Sequence, residues 1–395
     1  MHSADRAALA ARFRGVRAAS LAIAQPLSAE DQCVQSMPDA SPLKWHLAHT
    51  SWFFETLVLL PHAPAYRVFD ERFARLFNSY YESLGPRHPR PRRGLLTRPS
   101  LAQVHDYRAA VDAAMAALLN ESPAQDFARA APLIELGLHH EQQHQELMLT
   151  DVLHLFSLNP LLPAVFDARP PRIAPATQGW IEHAGGEVDI GHAGAGFAFD
   201  NETPRHAVRL LPFALANRLV TNGEYQRFID DGGYRRAELW LSDGWAAVQA
   251  QAWHAPLYWL PDGREFTLHG PHARAADEPV RHLGFFEAAA YAEWAGARLP
   301  TEFEWEAAVR GATPPAQAFG VAWQWTRSSY DPYPRYRPPA GAIGEYNGKF
   351  MVGQIVLRGS SSATPEGHAR ASYRNFFPPA ARWQFSGLRL ARDLS

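Results

Sequence analysis

Apolar residues return every three or four positions through about the first 157 residues, the period of helices with one buried face. "ADRAALAARFRGVRAASLAIA" is the first such run. "SAEDQCVQ" and "SPLKWHLAHTSWFFETLVLL" read as two further helix starts. In the second, Ser41 suits an N-cap and Pro42 the first helical position. "SLAQVHDYRAAVDAAMAALL" opens on Ser100 as a cap and is strongly amphipathic, and "APLIELGLHHEQQHQELMLTDVLHLF" continues the pattern. Four long helices in so short a span predict a bundle. Residues 78–100 are rich in Pro, Arg and Gly and break the pattern, so a long loop is expected there, a kind that is often functional in compact domains.

The pattern changes after "SLNPLLPAVFDARPPRIAPATQ", which is Pro-rich and lacks helical period. Beyond it Gly and Trp become frequent and apolar runs shorten, as in "VRLLPFALANRLV" and "GQIVLRGSS". Helical pieces such as "TNGEYQRFIDDG" and "FFEAAAYAEWAG" stand isolated. The expected class is α+β, with a helical domain over 1–165, a Pro-rich linker over 166–178 and a mixed domain over 179–395.

A length of 395 residues suits two domains, and 47% hydrophobic residues are enough for real cores. With 38 basic and 40 acidic residues the net charge is −2, which favours neither nucleic acid nor an acidic membrane as partner. No run approaches the roughly 20 apolar residues of a membrane span, and the N-terminus lacks the apolar core of a signal peptide. A soluble cytoplasmic protein is expected. Cys33 is the only cysteine, so any metal site must be built from His, Asp or Glu.

Histidines stand out for that role. His140 and His144 are four apart and share a helix face, so both imidazoles can reach one ion; His139 points about a quarter-turn away and His154 lies on another part of the helix. The spacing His-Glu-Gln-Gln-His also fits a zinc hydrolase with Glu141 as general base, but no third ligand follows at the usual distance. Upstream, "KWHLAHTSWFFET" offers His46 and His49 amid bulky aromatics. Two helices of a bundle can converge on a metal. A three-histidine set with open positions accepts Fe(II), Zn or Ni, and imidazole alone does not choose.

Taken together, "MPDASPLKWHLAHTSWFFETLVL", "FNSYYESLGPRHPRPRRGLLTRPS" and "LIELGLHHEQQHQELMLTDVLH" resemble the DinB-type helical domain of the ergothioneine-forming sulfoxide synthases. "NRLVTNGEYQRFIDDGGYRRAELWLSDGW", "EWAGARLPTEFEWEAA", "GEYNGKFM", "VLRGSSSATP" and "YRNFFPPAARWQFSGLRLARD" resemble their formylglycine-generating-enzyme-like domain, a variant of the C-type lectin fold. The resemblance covers nearly the whole chain in order. It implies a DinB-like four-helix bundle followed by a C-type-lectin-like domain. It also implies a non-haem iron(II) enzyme that uses O2 to join sulfur to C2 of the imidazole of hercynine, or, in the selenoneine-forming relatives, selenium from a selenosugar.

Carried over residue by residue, the resemblance implies His49, His140 and His144 as the iron ligands, with His46 in reserve. Glu141 or Glu146 would orient those imidazoles, or else lie on a solvated helix face. Gln143, Asn375 and Phe376 would meet the charged end of hercynine. Tyr80 and Tyr81, together with Tyr330, are the candidate proton or electron donors, Tyr81 first, because a phenol can do both jobs. Tyr333 completes a Tyr-x-x-Tyr-Pro stretch lining the substrate site. Each aromatic also has an ordinary reading as core or interface packing. Arg87, Arg90, Arg92 and Arg93 either steer an anionic co-substrate or form a solvated loop face.

The sequence departs from the sulfur enzymes in places. It has Gly284-Phe285-Phe286 where Ser-Tyr-Tyr is common, Gln324 in a usual Trp-Glu-Trp-Thr, and Ala380 at an often polar position. It lacks the Asp and Arg that γ-glutamylcysteine users carry after the Asn. A site losing charged groups suits a neutral sugar, since buried charges must be matched. A selenosugar is therefore the favoured co-substrate, with cysteine as the alternative. A zinc-dependent DinB-type thiol transferase or hydrolase, and a lectin-like binding module without catalysis, are the readings from other classes.

Overall fold

The computed structural model describes residues 3–168 and 172–394; residues 169–171 of the expected linker and both extreme termini lie outside the described residues. The chain is α+β and divides into two compact units. One comprises Met1–Phe166 with Gly341–Tyr346, the other Asp167–Ala340 with Asn347–Ser395. The short segment from far along the chain was not anticipated from the sequence.

The first unit is built on four long helices: α1 (Ser3–Ala24), α2 (Leu43–Phe54), α3 (Leu101–Glu121) and α4 (Ala124–Ser157). The α3 cap is a full capping box: Ser100 Oγ accepts from Gln103 N at 3.2 Å and Gln103 Oε1 accepts from Ser100 N at 2.9 Å. The α2 start differs from expectation. Pro42 is the N-cap and Ser41 lies one residue further out. Ser41 Oγ instead accepts from Arg93 Nη1 at 2.9 Å, and its N–H is taken by Asp151 at 2.8 Å. "SAEDQCVQ" gives a single 3-10 turn, Asp31–Cys33, because the Gln32 amide turns back onto the carbonyls of Ala24 and Leu27 instead of opening a helix. Beyond α2 the backbone widens into a π turn, Glu55–Leu59, around a buried Glu55 that accepts from Tyr66 and Tyr107, each at 2.6 Å.

One buried charge network pins the four helices together. Glu141 of α4, fully buried, accepts from Arg17 of α1 at 3.0 Å, Arg108 of α3 at 2.5 Å and Ser20 at 2.6 Å. Arg17 also reaches Ser51 of α2 at 2.9 Å. Burial alone would raise the Glu141 carboxyl; Arg108 and Arg17 outweigh it and bring it down to about 2.

In the second unit, strands β1 (Trp180–His183), β4 (Phe213–Ala216) and β11 (Ala391–Asp393) form one antiparallel sheet in the order β1-β4-β11. A second sheet runs β10-β7-β8-β9, from Ser386–Gly387, Ala322–Ser329, Ile355–Ser360 and Asn375–Phe377. β2–β3 (Gly186–Ile190 and His206–Leu210) and β5–β6 (Arg264–Thr267 and Gly270–Ala273) are hairpin ladders. Leu210, Phe213, Leu215, Ala308 and Ala391 form a core cluster. The interior also holds arginines. Arg374 pairs with Glu302 at 2.8 and 2.9 Å, and Arg358 with Glu306 at 2.5 Å. Arg389 meets Gln324 Oε1 at 2.8 Å and two carbonyls, and burial brings it down to about 9. The Gln324 amide donates to the Ala318 carbonyl at 2.9 Å, a bond that the commoner Glu could not make.

Candidate metal centre

Helices α2 and α4 meet closely because Gly137 leaves room. A Cβ there would stand 2.6 Å from Phe54 Cε1 and 3.0 Å from Phe53 Cε1. Phe53 in turn stacks on His140 at 4.5 Å. This crossing brings His49 of α2 together with His140 and His144 of α4. One ring nitrogen of each lies within 4.8 Å of the others. The Nε2 atoms of His49 and His140 are 3.2 Å apart. His49 is held between Trp45 (4.5 Å) and Trp52 (5.5 Å), both nearly parallel to it.

Each imidazole is backed differently. His49 Nδ1 donates to the Phe77 carbonyl at 2.6 Å. His144 Nδ1 lies 2.8 Å from Nδ1 of His46, whose Nε2 is 3.0 Å from Asp151 Oδ2. His140 Nδ1 is buried without a hydrogen-bond partner. Desolvation pushes all three rings down, His140 to about 3 and the other two well below the usual histidine range. They are neutral at physiological pH, which is the form that ligates. Converging lone pairs and neutral rings are what a three-histidine metal site requires, so the donor set fits a metal ion.

Three expectations change here. His46 stands behind His144 and does not join the three. Glu141 orients no imidazole and serves no metal-bound water, because Arg17, Arg108 and Ser20 occupy its carboxylate. Arg93 is buried, its guanidinium 3.4 Å above the Trp45 ring and bonded to Ser41 and Ser79, while Arg87, Arg90 and Arg92 are exposed. The loop 78–100 thus braces the aromatic that stacks on His49.

Tyr81 is fully buried on that loop. Its ring lies 4.7 Å from Tyr80 and 5.5 Å from Trp52. Its hydroxyl is buried beside Tyr80, and burial first, then Tyr80, pushes the phenol well above its ordinary value. Asn78 fixes the turn by accepting from Tyr81 N at 3.2 Å and donating to the Tyr81 carbonyl at 2.9 Å.

Sequence reasoning missed Tyr346. Its ring meets His140 edge-on at 5.8 Å and Tyr80 at 6.0 Å, and its hydroxyl donates to Gln143 Oε1. Next to it, Glu345 accepts from the backbone N–H groups of Glu82 (2.9 Å) and Ser83 (3.0 Å), tying the segment to the tyrosine turn. The signal was present in "GEYNGKFM", which carried the resemblance but named no site residue.

The other candidates belong to the second unit. Phe376 stacks on Tyr330 at 4.0 Å, with Asn375 beside it accepting from Phe376 N at 2.9 Å. The Tyr330 hydroxyl accepts from Asn201 at 2.8 Å. Tyr333 is buried under Arg374 (4.0 Å) and donates to Glu302 at 3.3 Å.

The sequence matches the DinB superfamily over residues 12–148 and the sulfatase-modifying factor enzyme 1-like domain over 167–320. It is 34% identical to the hercynine oxygenase of Mycobacterium tuberculosis, over 92% of this chain and 93% of that one. With the hercynine oxygenase of Mycolicibacterium thermoresistibile it shares 32% identity, over 90% and 88%. The chain belongs to the hercynine oxygenase family. A formylglycine-generating enzyme from Streptomyces coelicolor is 36% identical over only 34% of this chain and 48% of its own. The hercynine oxygenase match extends across both units, and the formylglycine-generating match across a third of the chain. Among the described residues, no helix is long and apolar enough to cross a membrane.

Proposed function

We propose that this chain is a non-haem iron(II) enzyme that uses O2 to join a chalcogen to C2 of the hercynine imidazole, with a selenosugar as the donor. The observation that carries the reading is the buried, neutral His49–His140–His144 triad, in a chain whose relatives are named hercynine oxygenases. Three neutral imidazoles leave Fe(II) open positions, and the bound ion supplies the redox chemistry that activates O2. Joining C2 to the chalcogen with loss of one C–H and one chalcogen–H is a two-electron oxidation. If one oxygen of O2 ends on the chalcogen and the other in water, all four electrons are accounted for.

In this reading Gln143 meets the charged end of hercynine, and Tyr346 holds the Gln143 amide in place through Oε1. Tyr81 is the proton or electron donor, with Tyr80 stacked against it. Tyr330 and Tyr333 have hydroxyls engaged by Asn201 and Glu302, so Tyr81 comes before them. For Asn375 and Phe376 the support is the resemblance, together with the Phe376–Tyr330 aromatic pair, a surface that suits a trimethylammonium group. The occupied Glu141 speaks against the zinc hydrolase alternative. The selenium preference rests on the absence of the Asp and the Arg that γ-glutamylcysteine users carry after the Asn.

The test is anaerobic reconstitution with Fe(II), then O2 and hercynine with either a selenosugar or cysteine, read by mass spectrometry. A selenium adduct formed in preference to a sulfur one supports the reading. A cysteine adduct moves the chain to sulfoxide formation. No adduct with either, from protein that holds zinc and not iron, refutes the oxygenase.

A further inference from the structure

We infer that Asp151 and His46 form a proton-locked relay that sets the tautomer of His144, and through it how tightly the site holds its metal. The inference rests on the reading of His49, His140 and His144 as metal ligands. Two imidazole nitrogens 2.8 Å apart, as are the Nδ1 atoms of His46 and His144, share one proton: two N–H groups would collide and two lone pairs repel. The pair alone does not decide which ring carries it.

Asp151 decides. An ionised carboxylate only accepts, and Oδ2 is fixed in place by also accepting from Ser41 N at 2.8 Å. His46 Nε2, 3.0 Å away, must then carry a proton. For His144 to present a bare Nε2 to a metal, the shared proton must be its own and His46 Nδ1 must accept. His144 therefore donates Nδ1–H to it, which leaves His144 Nε2 with its lone pair free for the metal. His49 reaches the same tautomer by a different device, the Phe77 carbonyl. His140 has neither device, since its Nδ1 is buried without a partner.

The placement makes the relay part of the helix crossing. His46 lies three residues before His49 on α2, and Asp151 seven after His144 on α4. The two helices that supply the ligands also supply their orienters. Both residues are buried, so water does not compete for these bonds. Carboxylate-to-imidazole partners of this kind strengthen metal binding, and their loss weakens affinity by about 10–100-fold. His46 and Asp151 are positioning residues: neither nitrogen of His46 is left for the metal.

A purely structural role is available to Asp151, because it caps Ser41 N–H ahead of α2. Two variants separate the roles. Asp151→Ala removes both bonds. His46→Phe keeps a flat ring, somewhat larger than imidazole, and leaves the Ser41 bond intact. The protein is titrated anaerobically with Fe(II) alone and separately with Zn(II) alone, so the readout does not depend on turnover. The tautomer of His144 in metal-free protein is read from ¹⁵N–¹H correlations of labelled histidine. The expected result is a 10–100-fold weaker affinity for both ions in both variants. The double variant should be no worse than the weaker single one, and His144 should lose its pure Nδ1–H form. Unchanged affinity and an unchanged tautomer in His46→Phe overturn the relay, whatever Asp151→Ala does. If Asp151→Ala fails to fold, His46→Phe decides alone. Parent protein that binds neither ion removes the metal reading itself. Parent that binds both, with variants that match it, removes only the relay.

Discussion

Glu141 is the residue over which two readings of the histidine motif part most sharply, and Glu141→Gln tests them. In a zinc hydrolase that glutamate would work at the metal, so the substitution would silence the enzyme and spare the fold. Here the carboxylate is fully buried between Arg17 and Arg108. Gln keeps the shape and some hydrogen bonds but removes the charge, leaving Arg108 without an anion in the interior. The magnitude follows from the carboxyl's descent from 4.5 to about 2. That difference corresponds to about 3 kcal/mol of stabilisation at neutral pH. Breaking a buried pair by removing one partner costs about 3–5 kcal/mol, which agrees. Because the folded pKa is depressed, this contribution is complete above 4.5 and disappears as pH falls from 4.5 through about 2. Calorimetry of the whole chain at pH 7 should show the helical unit's transition lowered by about 6–12 °C, taking about 2–4 °C per kcal/mol. The gap between parent and variant should close toward pH 2. Zinc affinity measured well below the new melting point should survive. A Glu141→Gln protein that melts with the parent and loses only turnover would put the carboxylate at the metal and refute this account.

Other outcomes follow from the same geometry. Tyr81→Phe removes one buried hydroxyl beside Tyr80 and keeps the ring, so its melting temperature should change little while hercynine-dependent O2 uptake falls by about 100-fold; full activity would remove Tyr81 from the chemistry. Tyr346→Phe leaves the ring against His140 but removes its hydrogen bond to Gln143, and should lower kcat/KM for hercynine about tenfold with no change in melting, one hydrogen bond being about 1 kcal/mol or slightly more. Gly137→Ala drives a methyl into Phe54 and should cost about 1–3 kcal/mol in urea titration, with weaker Fe(II) binding as Phe53 shifts against His140. Dialysis against a chelator should abolish O2 uptake, and anaerobic Fe(II), unlike Zn(II), should restore it.

Much of this was legible in the residue pattern, for reasons that differ from place to place. The helices declared themselves because their apolar residues recur at helical period, and Ser100 marked α3 because a capping box is local chemistry. His140 and His144 were visible as a pair for the same reason. What stayed hidden depends on which face meets which neighbour. Nothing local says that Glu141 turns to two arginines distant in sequence, or that His46 stands behind His144 while His49 joins the cluster of three. Both are set by how α2 rotates against α4, and Gly137 governs how closely they approach. Arg93 looked like its neighbours in a basic loop, and only the tertiary stack on Trp45 distinguishes it. Tyr346 was hidden by distance: it lies 202 residues beyond His144 in the chain, so no window on the helical half includes it.

That distance has a consequence for how the protein is made. The helical unit is two pieces of chain, Met1–Phe166 and Gly341–Tyr346, with 174 residues between them. At ribosomal rates of about 5–20 residues per second, roughly 9–38 s separate the emergence of the last helix from that of its final tyrosine. During that interval the three histidines exist without Tyr346 beside His140 and without Glu345 fastening the tyrosine turn. A nascent chain can therefore gather its three histidines well before the groups around them are complete. A gene fragment ending at the proline-rich stretch would freeze the protein at that stage.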